Sequence, residues 1–245
     1  MSRYYYDLHL HSCLSPCADD DMTPANIAGM ATLCGLQLIA LTDHNTCGNC
    51  GALLQACRQY GIVGLPGMEL TTSEEVHLVC LFATLEQAEA FSARVKEHRT
   101  RIRNKPQIFG NQLYVDAQDQ VLGEEPDLLI PATSLSLEAG TALALECGGA
   151  AWPAHIDRPS NGVIGILGDL PEKPFFPTVE LNDRENLAEY REKYGLQDRR
   201  ILCSSDAHHL WDIREAANSI EIADEPYSSQ RVRDELIRML REGML

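Results

Sequence analysis

The sequence predicts an α/β fold, either a barrel or a doubly wound sheet. Short apolar runs alternate with stretches of helical spacing along most of the chain. Those runs are largely unbroken, as in strands buried on both faces. Of the eight histidines, His9, His11, His44, His77, His155 and His208 fall at the ends of the runs, beside other metal-ligating side chains. Strand ends are where α/β folds place their active sites.

Residues 3–9 read as the first strand. Thr23 then caps a helix with Pro24 at its first position, running to about Cys34 and stopped by Gly35. Leu36 to Leu41 is a second strand. A helix over 50–60 ends at Gly61, the strand Ile62 to Leu65 follows, and Val76 to Ala83 precedes a helix over 85–99. The rhythm breaks over 100–133, where Leu113-Tyr114-Val115 and Val121-Leu122 flank the turn residues Asp116 to Asp119, as in a hairpin. It resumes with a helix near 135–147, strands near 150–154 and 178–181, a helix over 184–194 and a strand over 200–204. Ile220 to Ile222 is a last strand, and an amphipathic helix over 227–242 follows. The expected organisation is one α/β unit formed by 1–99 and 134–245, with 100–133 as a small inserted, cap-like segment.

A chain of 245 residues with 44% hydrophobic and 23% charged residues can bury one substantial core. No stretch approaches the ~20 apolar residues that cross a bilayer, so no membrane partner is expected. Met1 to Asp7 has no apolar signal region, and a cytoplasmic setting is the expectation. A net charge of −16 argues against a sequence-independent grip on long nucleic acid. It leaves room for a small phosphorylated substrate held by a local cluster of cations. Nine cysteines, an odd number, fit a reduced compartment without a disulfide framework. Oligomeric state is not legible.

Imidazoles and carboxylates gathered at strand ends suit divalent transition metals. His9 and His11, at i and i+2 on an extended segment, share a face. Asp43-His44 ends the next strand, His155 another, and Asp206-x-His208 a later one. Any one histidine by itself is more often an ordinary core or surface residue; six together at strand ends are not. Cys13, Cys17, Cys47 and Cys50 lie in the loops after the first two strands and offer a possible extra Cys-bound metal, against the simpler reading of free thiols or a redox pair.

Four segments resemble the polymerase and histidinol phosphatase (PHP) family: Asp7-Leu8-His9-Leu10-His11-Ser12, Leu41-Thr42-Asp43-His44-Asn45, Ala154-His155-Ile156-Asp157-Arg158 and Ser204-Ser205-Asp206-Ala207-His208. They occur in the family's order and span nearly the whole chain. The resemblance implies a distorted (β/α)7 barrel, three divalent metal ions (zinc, manganese or iron) and phosphoesterase activity. It implies one metal on His9, His11 and Asp206, bridged by Glu69 to a second on His77 and His155, and a third on His44 and His208. The family's remaining ligand to the third lies in the loop before Thr23-Pro24; counting back favours Asp19, with Asp20 and Asp21 as alternatives.

Beyond the ligands, Arg158 can clamp a phosphate through paired hydrogen bonds, or simply pair with a nearby carboxylate. His209 follows a ligand directly and can contact substrate or give up a proton. The expected activity is hydrolysis of a small phosphorylated nucleotide, such as a nucleoside 3′,5′-bisphosphate, or of a short oligoribonucleotide. The basic run Arg99, Arg101, Arg103 and Lys105 could draw in a second phosphate, against the simpler reading of a solvated linker. Histidinol-phosphate phosphatase and a non-catalytic metal- or nucleotide-binding sensor stand as alternatives.

Overall fold

A computed structural model of the chain describes residues 1–243. In chain order the elements are β1 (Ser2–Leu10), α1 (Pro24–Leu33), β2 (Leu38–Leu41), α2 (Cys50–Tyr60), β3 (Val63–Thr71), β4 (His77–Leu81) and α3 (Leu85–His98). Then come α4 (Pro106–Phe109), β5 (Leu113–Val115), β6 (Val121–Glu124), α5 (Leu137–Glu146), β7 (Ala150–Pro153) and α6 (Val163–Leu167). The chain closes with β8 (Thr178–Leu181), α7 (Leu187–Lys193), β9 (Arg200–Cys203), β10 (Ser219–Ile222) and α8 (Ser229–Glu242). The predicted elements are all present. The short helices α4 and α6 and the extension of β3 to Thr71 carry too little periodicity to be read from sequence.

The strands form a distorted barrel. Six are hydrogen-bonded in the order β10-β1-β2-β3-β4-β7, while β8 and β9 pair in parallel by themselves. Single links join the two pieces: Ile156 N–H donates to Glu180 O (2.8 Å), and His11 N–H donates to Ala207 O (3.1 Å). Seven strands thus complete a ring, with β10 lying antiparallel against the first half of β1. Strands β1, β2 and β3 run parallel, but β4 is antiparallel to both β3 and β7.

Alternation decides what faces the barrel axis. Val63 and Leu65 of β3, Val79 and Leu81 of β4, and Trp152 of β7 pack with Tyr4, Tyr6 and Leu8 in one cluster. Helix α8 closes the same end with Val232, Leu236, Ile237 and Leu240. Each of these buried side chains contributes about 1.5–3 kcal/mol. The intervening residues, such as Ile39, Leu41, Met68, Leu78 and Cys80, face outward to the helices. One end of the interior is therefore an apolar plug, and the same strand faces lead to the polar residues at the other.

Segment 100–133 packs on the loops at that polar end. Leu113 N–H donates to Cys13 O (2.9 Å) and Val115 N–H to Asn49 Oδ1 (3.1 Å). The Asn45 amide donates to Leu129 O (2.6 Å) and Pro131 O (3.1 Å). Arg99, at the start of the basic run, is neither solvated nor turned to a phosphate but pairs with Glu125 (3.2 Å), which also accepts from the Tyr114 hydroxyl (2.8 Å).

Candidate metal centre

Local backbone features carry the ligands to one rim. Tyr4, Tyr6 and Leu8 face inward but Leu10 faces the helices, because the register of β1 shifts between Asp7 and Leu10. That irregularity turns His9 and His11 toward the axis. Glu69 shares its face of β3 with Val63 and Leu65. His77 is the first residue of β4, not a strand end; it reaches the same rim because β4 runs backwards. His155 and Asp206 follow β7 and β9 with positive φ angles of 29° and 54°, and Asn45 has 52°. For residues other than glycine this conformation costs about 1–3 kcal/mol each, and it clusters at functional sites.

Glu69 is the hub. Its Oε1 lies 2.8 Å from His77 Nδ1, 3.0 Å from His155 Nε2 and 3.3 Å from His9 Nε2. Its Oε2 lies 3.1 Å from His44 Nδ1 and 3.3 Å from His11 Nε2. Asp206 Oδ1 lies 3.1 Å from His11 Nε2 and 3.3 Å from His9 Nε2. Yet Glu69 Oε2, Asp206 Oδ1 and His44 Nδ1 are buried atoms without a hydrogen-bond partner. Leaving such groups unpaired costs about 1–3 kcal/mol apiece, more when they are charged. Lone pairs converging at these distances fit cations.

Among the described residues three overlapping groups have ligand atoms within 4.8 Å of one another: His9, His11, Glu69 and Asp206; His44, Glu69 and His77; and His11, His44 and His208. His155 stands beside the second group through Glu69 and through His77 Nδ1, 3.3 Å away. Compared with the arrangement the resemblance implies, His11 also reaches the third group and His44 also reaches Glu69.

Buried partners orient the imidazoles. His9 Nδ1 is 2.7 Å from Glu180 Oε1, and His11 Nδ1 is 2.9 Å from Ser15 Oγ, whose hydroxyl donates to Asp43 Oδ1 (2.7 Å). His208 Nδ1 is 2.8 Å from Asp206 O. With Nδ1–H donating to these acceptors, each Nε2 is left with a lone pair for a metal. Glu180, 1% exposed, escaped the sequence reading. Its signal was a carboxylate inside the apolar strand Thr178-Val179-Glu180-Leu181.

The electrostatics favour cations. Burial opposes ionisation of Glu69, but the imidazoles packed around it, His77 and His9 first and then His11 and His155 through hydrogen bonds, outweigh it and hold the carboxyl well below its usual range. Asp206 is likewise lowered, burial being overcome by His9 and His11. For His9 burial favours the neutral ring, yet Glu180, Glu69 and Asp206 raise its pKa well above the ordinary value. Burial lowers His77 to about 4, leaving it neutral at neutral pH. A cluster that attracts protons so strongly gives them up when cations take their place.

Several expected residues lie elsewhere. The Asp19 side chain is 40% exposed, accepts Asp21 N–H (2.9 Å) and sits 3.7 Å from His209 Nδ1. Asp20 accepts from the Asn111 amide (2.7 Å) and Asp21 is exposed, so none of the three aspartates joins the converging ligands. The four loop cysteines do not share a centre. Cys13 Sγ faces Leu113 O (3.8 Å), Cys50 Sγ faces Gly67 O (3.4 Å) with Cys47 beside it, and the Cys17 thiol lies against His44 and His208. Arg158 Nη1 is 2.5 Å from Asp206 Oδ2 with its side chain 42% exposed, so it stands at the edge of the cluster and reaches solvent. His209 stacks on the exposed Trp211, with ring centroids 4.6 Å apart.

The PHP domain family model matches residues 7–143, more than half of the chain. The chain belongs to the PHP family. No curated protein matches its sequence. Among solved structures, this PHP chain is similar to the lesion-specific endonuclease PfuEndoQ from Pyrococcus furiosus, with 20% identity and a TM-score of 0.65 over 98% of the chain and 56% of that protein. An endonuclease Q complex with a 27-mer duplex carrying an abasic lesion gives 20% identity and a TM-score of 0.62, covering 95% and 56%. PsfC from Pseudomonas syringae PB-5123 gives 15% identity and a TM-score of 0.58, covering 99% and 90%. The PHP chain thus spans little more than half the length of endonuclease Q, and these likenesses concern the fold.

Proposed function

We propose that this chain is a metal-dependent phosphoesterase with a trinuclear centre on His9, His11, His44, Glu69, His77, His155, Asp206 and His208. Its substrate is a nucleoside 3′,5′-bisphosphate or a short oligoribonucleotide. The observation that carries the reading is the buried carboxylate of Glu69 within 3.3 Å of five imidazoles, with one oxygen unpartnered. Bound divalent ions would lower the pKa of a water molecule and neutralise charge on the phosphoryl oxygens.

The chain's own residues complete the chemistry. Arg158, reaching from Asp206 to solvent, pairs with phosphoryl oxygens at the edge of the centre. His209, beside His208, donates a proton to the departing oxygen. The His209–Trp211 stack offers a flat aromatic surface for a nucleobase, and base stacking of this kind is worth about 1–3 kcal/mol. Segment 100–133, tied by Asn45 and Asn49 to the loops at this rim, forms a cap over one side of the mouth.

Likeness to endonuclease Q favours one second reading, cleavage of damaged duplex DNA, but a net charge of −16 counts against a grip on duplex. Phosphate release from adenosine 3′,5′-bisphosphate and histidinol phosphate, and mononucleotide release from a short oligoribonucleotide, alongside nicking of an abasic-site duplex, separate the readings. The expected result is metal-dependent turnover of the bisphosphate or the oligoribonucleotide. Turnover of the duplex alone, of histidinol phosphate alone, or binding of metal and nucleotide without turnover would replace it.

A further inference from the structure

Segment 100–133 reaches the metal ligands from behind, through one buried side chain. Asn49 stands at the N-cap of α2, where an asparagine ordinarily bonds the first N–H groups of its own helix, yet it makes no such bond. Its amide is spent elsewhere. Oδ1 accepts Val115 N–H (3.1 Å), and Nδ2 donates to Leu113 O (3.0 Å) and to Ser12 Oγ (3.0 Å). Val115 N–H can bond only the amide oxygen and Leu113 O only its nitrogen, so β5 fixes which end faces Ser12.

From Ser12 the path continues inward. The Ser12 hydroxyl donates to Asp43 Oδ2 (2.6 Å), while Asp43 Oδ1 accepts Ser12 N–H (2.7 Å) and the Ser15 hydroxyl (2.7 Å). Having given up its one proton, Ser15 Oγ can only accept, and it does so from His11 Nδ1–H (2.9 Å) and His44 N–H (3.2 Å). Further along the same loop, Asp19 N–H donates to His208 O (2.9 Å). Asn49, Ser12, Asp43 and Ser15 are each at most 1% exposed, so water does not compete for these bonds. His11, at the end of the path, is the imidazole common to the inner and outer ligand groups.

We infer that Asn49 is a positioning residue for the metal centre, and that segment 100–133 acts on the centre through it. Clamped by β5, Asn49 sets the Ser12 hydroxyl, which with Asp43 fixes Ser15 as an acceptor. Ser15 in turn holds the His11 ring with its Nε2 lone pair toward Glu69 and Asp206. The inserted segment is thus a brace for the ligands as well as a cap. This deepens the proposed function and rests on it.

A double-mutant cycle on Zn²⁺ affinity tests the path, with the stripped whole chain titrated against a chelator. Ser15→Ala removes the direct partner of His11 and should weaken Zn²⁺ binding by about 10–100-fold. Asn49→Ala, at the far end, should weaken it by roughly tenfold. In the Ser15→Ala background it should add less than about twofold, because the path is already cut. Ser12→Ala leaves Asn49 bonded to Leu113 and Val115 and should match Asn49→Ala; it carries the test alone if Asn49→Ala does not fold. Wild-type affinity in folded Asn49→Ala or Ser12→Ala would overturn the positioning role and leave the metal centre standing. So would an equal loss from Asn49→Ala with and without Ser15. A folded wild type that takes up no Zn²⁺ would overturn both.

Discussion

The inner and outer parts of the cluster are built by different means. His9, Glu69 and His77 lie within strands, are nearly inaccessible, and are aligned by side chains that are themselves buried, Glu180 above all. His208, His209, Arg158 and Cys17 come from loops, and each is at least partly exposed. The inner residues owe their positions to strand register, which one irregularity in β1 and one reversed strand set. The outer ones depend on loop hydrogen bonds through Ser15, Asp19 and the backbone of His208. Rigid strands suit tight, lasting occupancy, whereas loops suit substrate contact and exchange.

If the inner part carries the centre, Glu69→Ala should have the largest effect. It removes a carboxylate shared by five imidazoles, so phosphate release should fall by on the order of 10³-fold, with metal content per chain reduced. Full activity with full metal content would remove Glu69 from the hub. Next comes Glu180→Gln, which keeps an acceptor for His9 Nδ1 but not its charge. Metal affinity should drop by about 10–100-fold with the fold intact, read by competition with a chelator. An unchanged affinity would mean that His9 is oriented without Glu180.

In the outer part, Arg158→Ala should leave metals in place and raise KM by roughly tenfold, a discounted value for a half-exposed charged hydrogen bond. An altered metal content with unchanged KM would assign Arg158 to holding Asp206 instead. The smallest effect concerns the anchoring of segment 100–133. Burial raises the Glu125 pKa, but the Tyr114 hydroxyl, the Asp127 N–H and Arg99 outweigh it and lower it overall. A depressed carboxylate stabilises the fold above its unfolded pKa, about 4.3, and loses that contribution as pH falls through the lower folded value. Glu125→Gln should therefore have a lower Tm than the wild type near neutrality, the gap closing in acid. A gap that widens in acid would contradict the ion pair.

Most of the fold and most of the converging side chains were legible in the sequence because strand ends carry both apolar runs and residues able to ligate a metal. Direction was not. The run Val76 to Ala83 has no feature that marks it as antiparallel, so His77 reads as part of a strand end and turns out to begin one. Loop geometry was not legible either. Counting along Cys17-Ala18-Asp19-Asp20-Asp21 cannot say where each side chain points. Glu180 looked like an ordinary strand residue because its partner, His9, lies 171 positions away. The proposed four-cysteine centre failed for the same reason: neighbouring loops brought the cysteines near one another but aimed their thiols at different partners.

The account's central claim is that metals held around Glu69 hydrolyse a phosphate ester. Its most direct test is a side-by-side measurement on wild type and Glu69→Ala, pairing elemental metal content per chain with phosphate release from adenosine 3′,5′-bisphosphate and mononucleotide release from a short oligoribonucleotide. The account predicts about three metals and turnover of one substrate in the wild type, and loss of both metal and turnover in the variant. A folded wild type that takes up no metal, or a metal-free variant that releases phosphate as fast as the wild type, would contradict it.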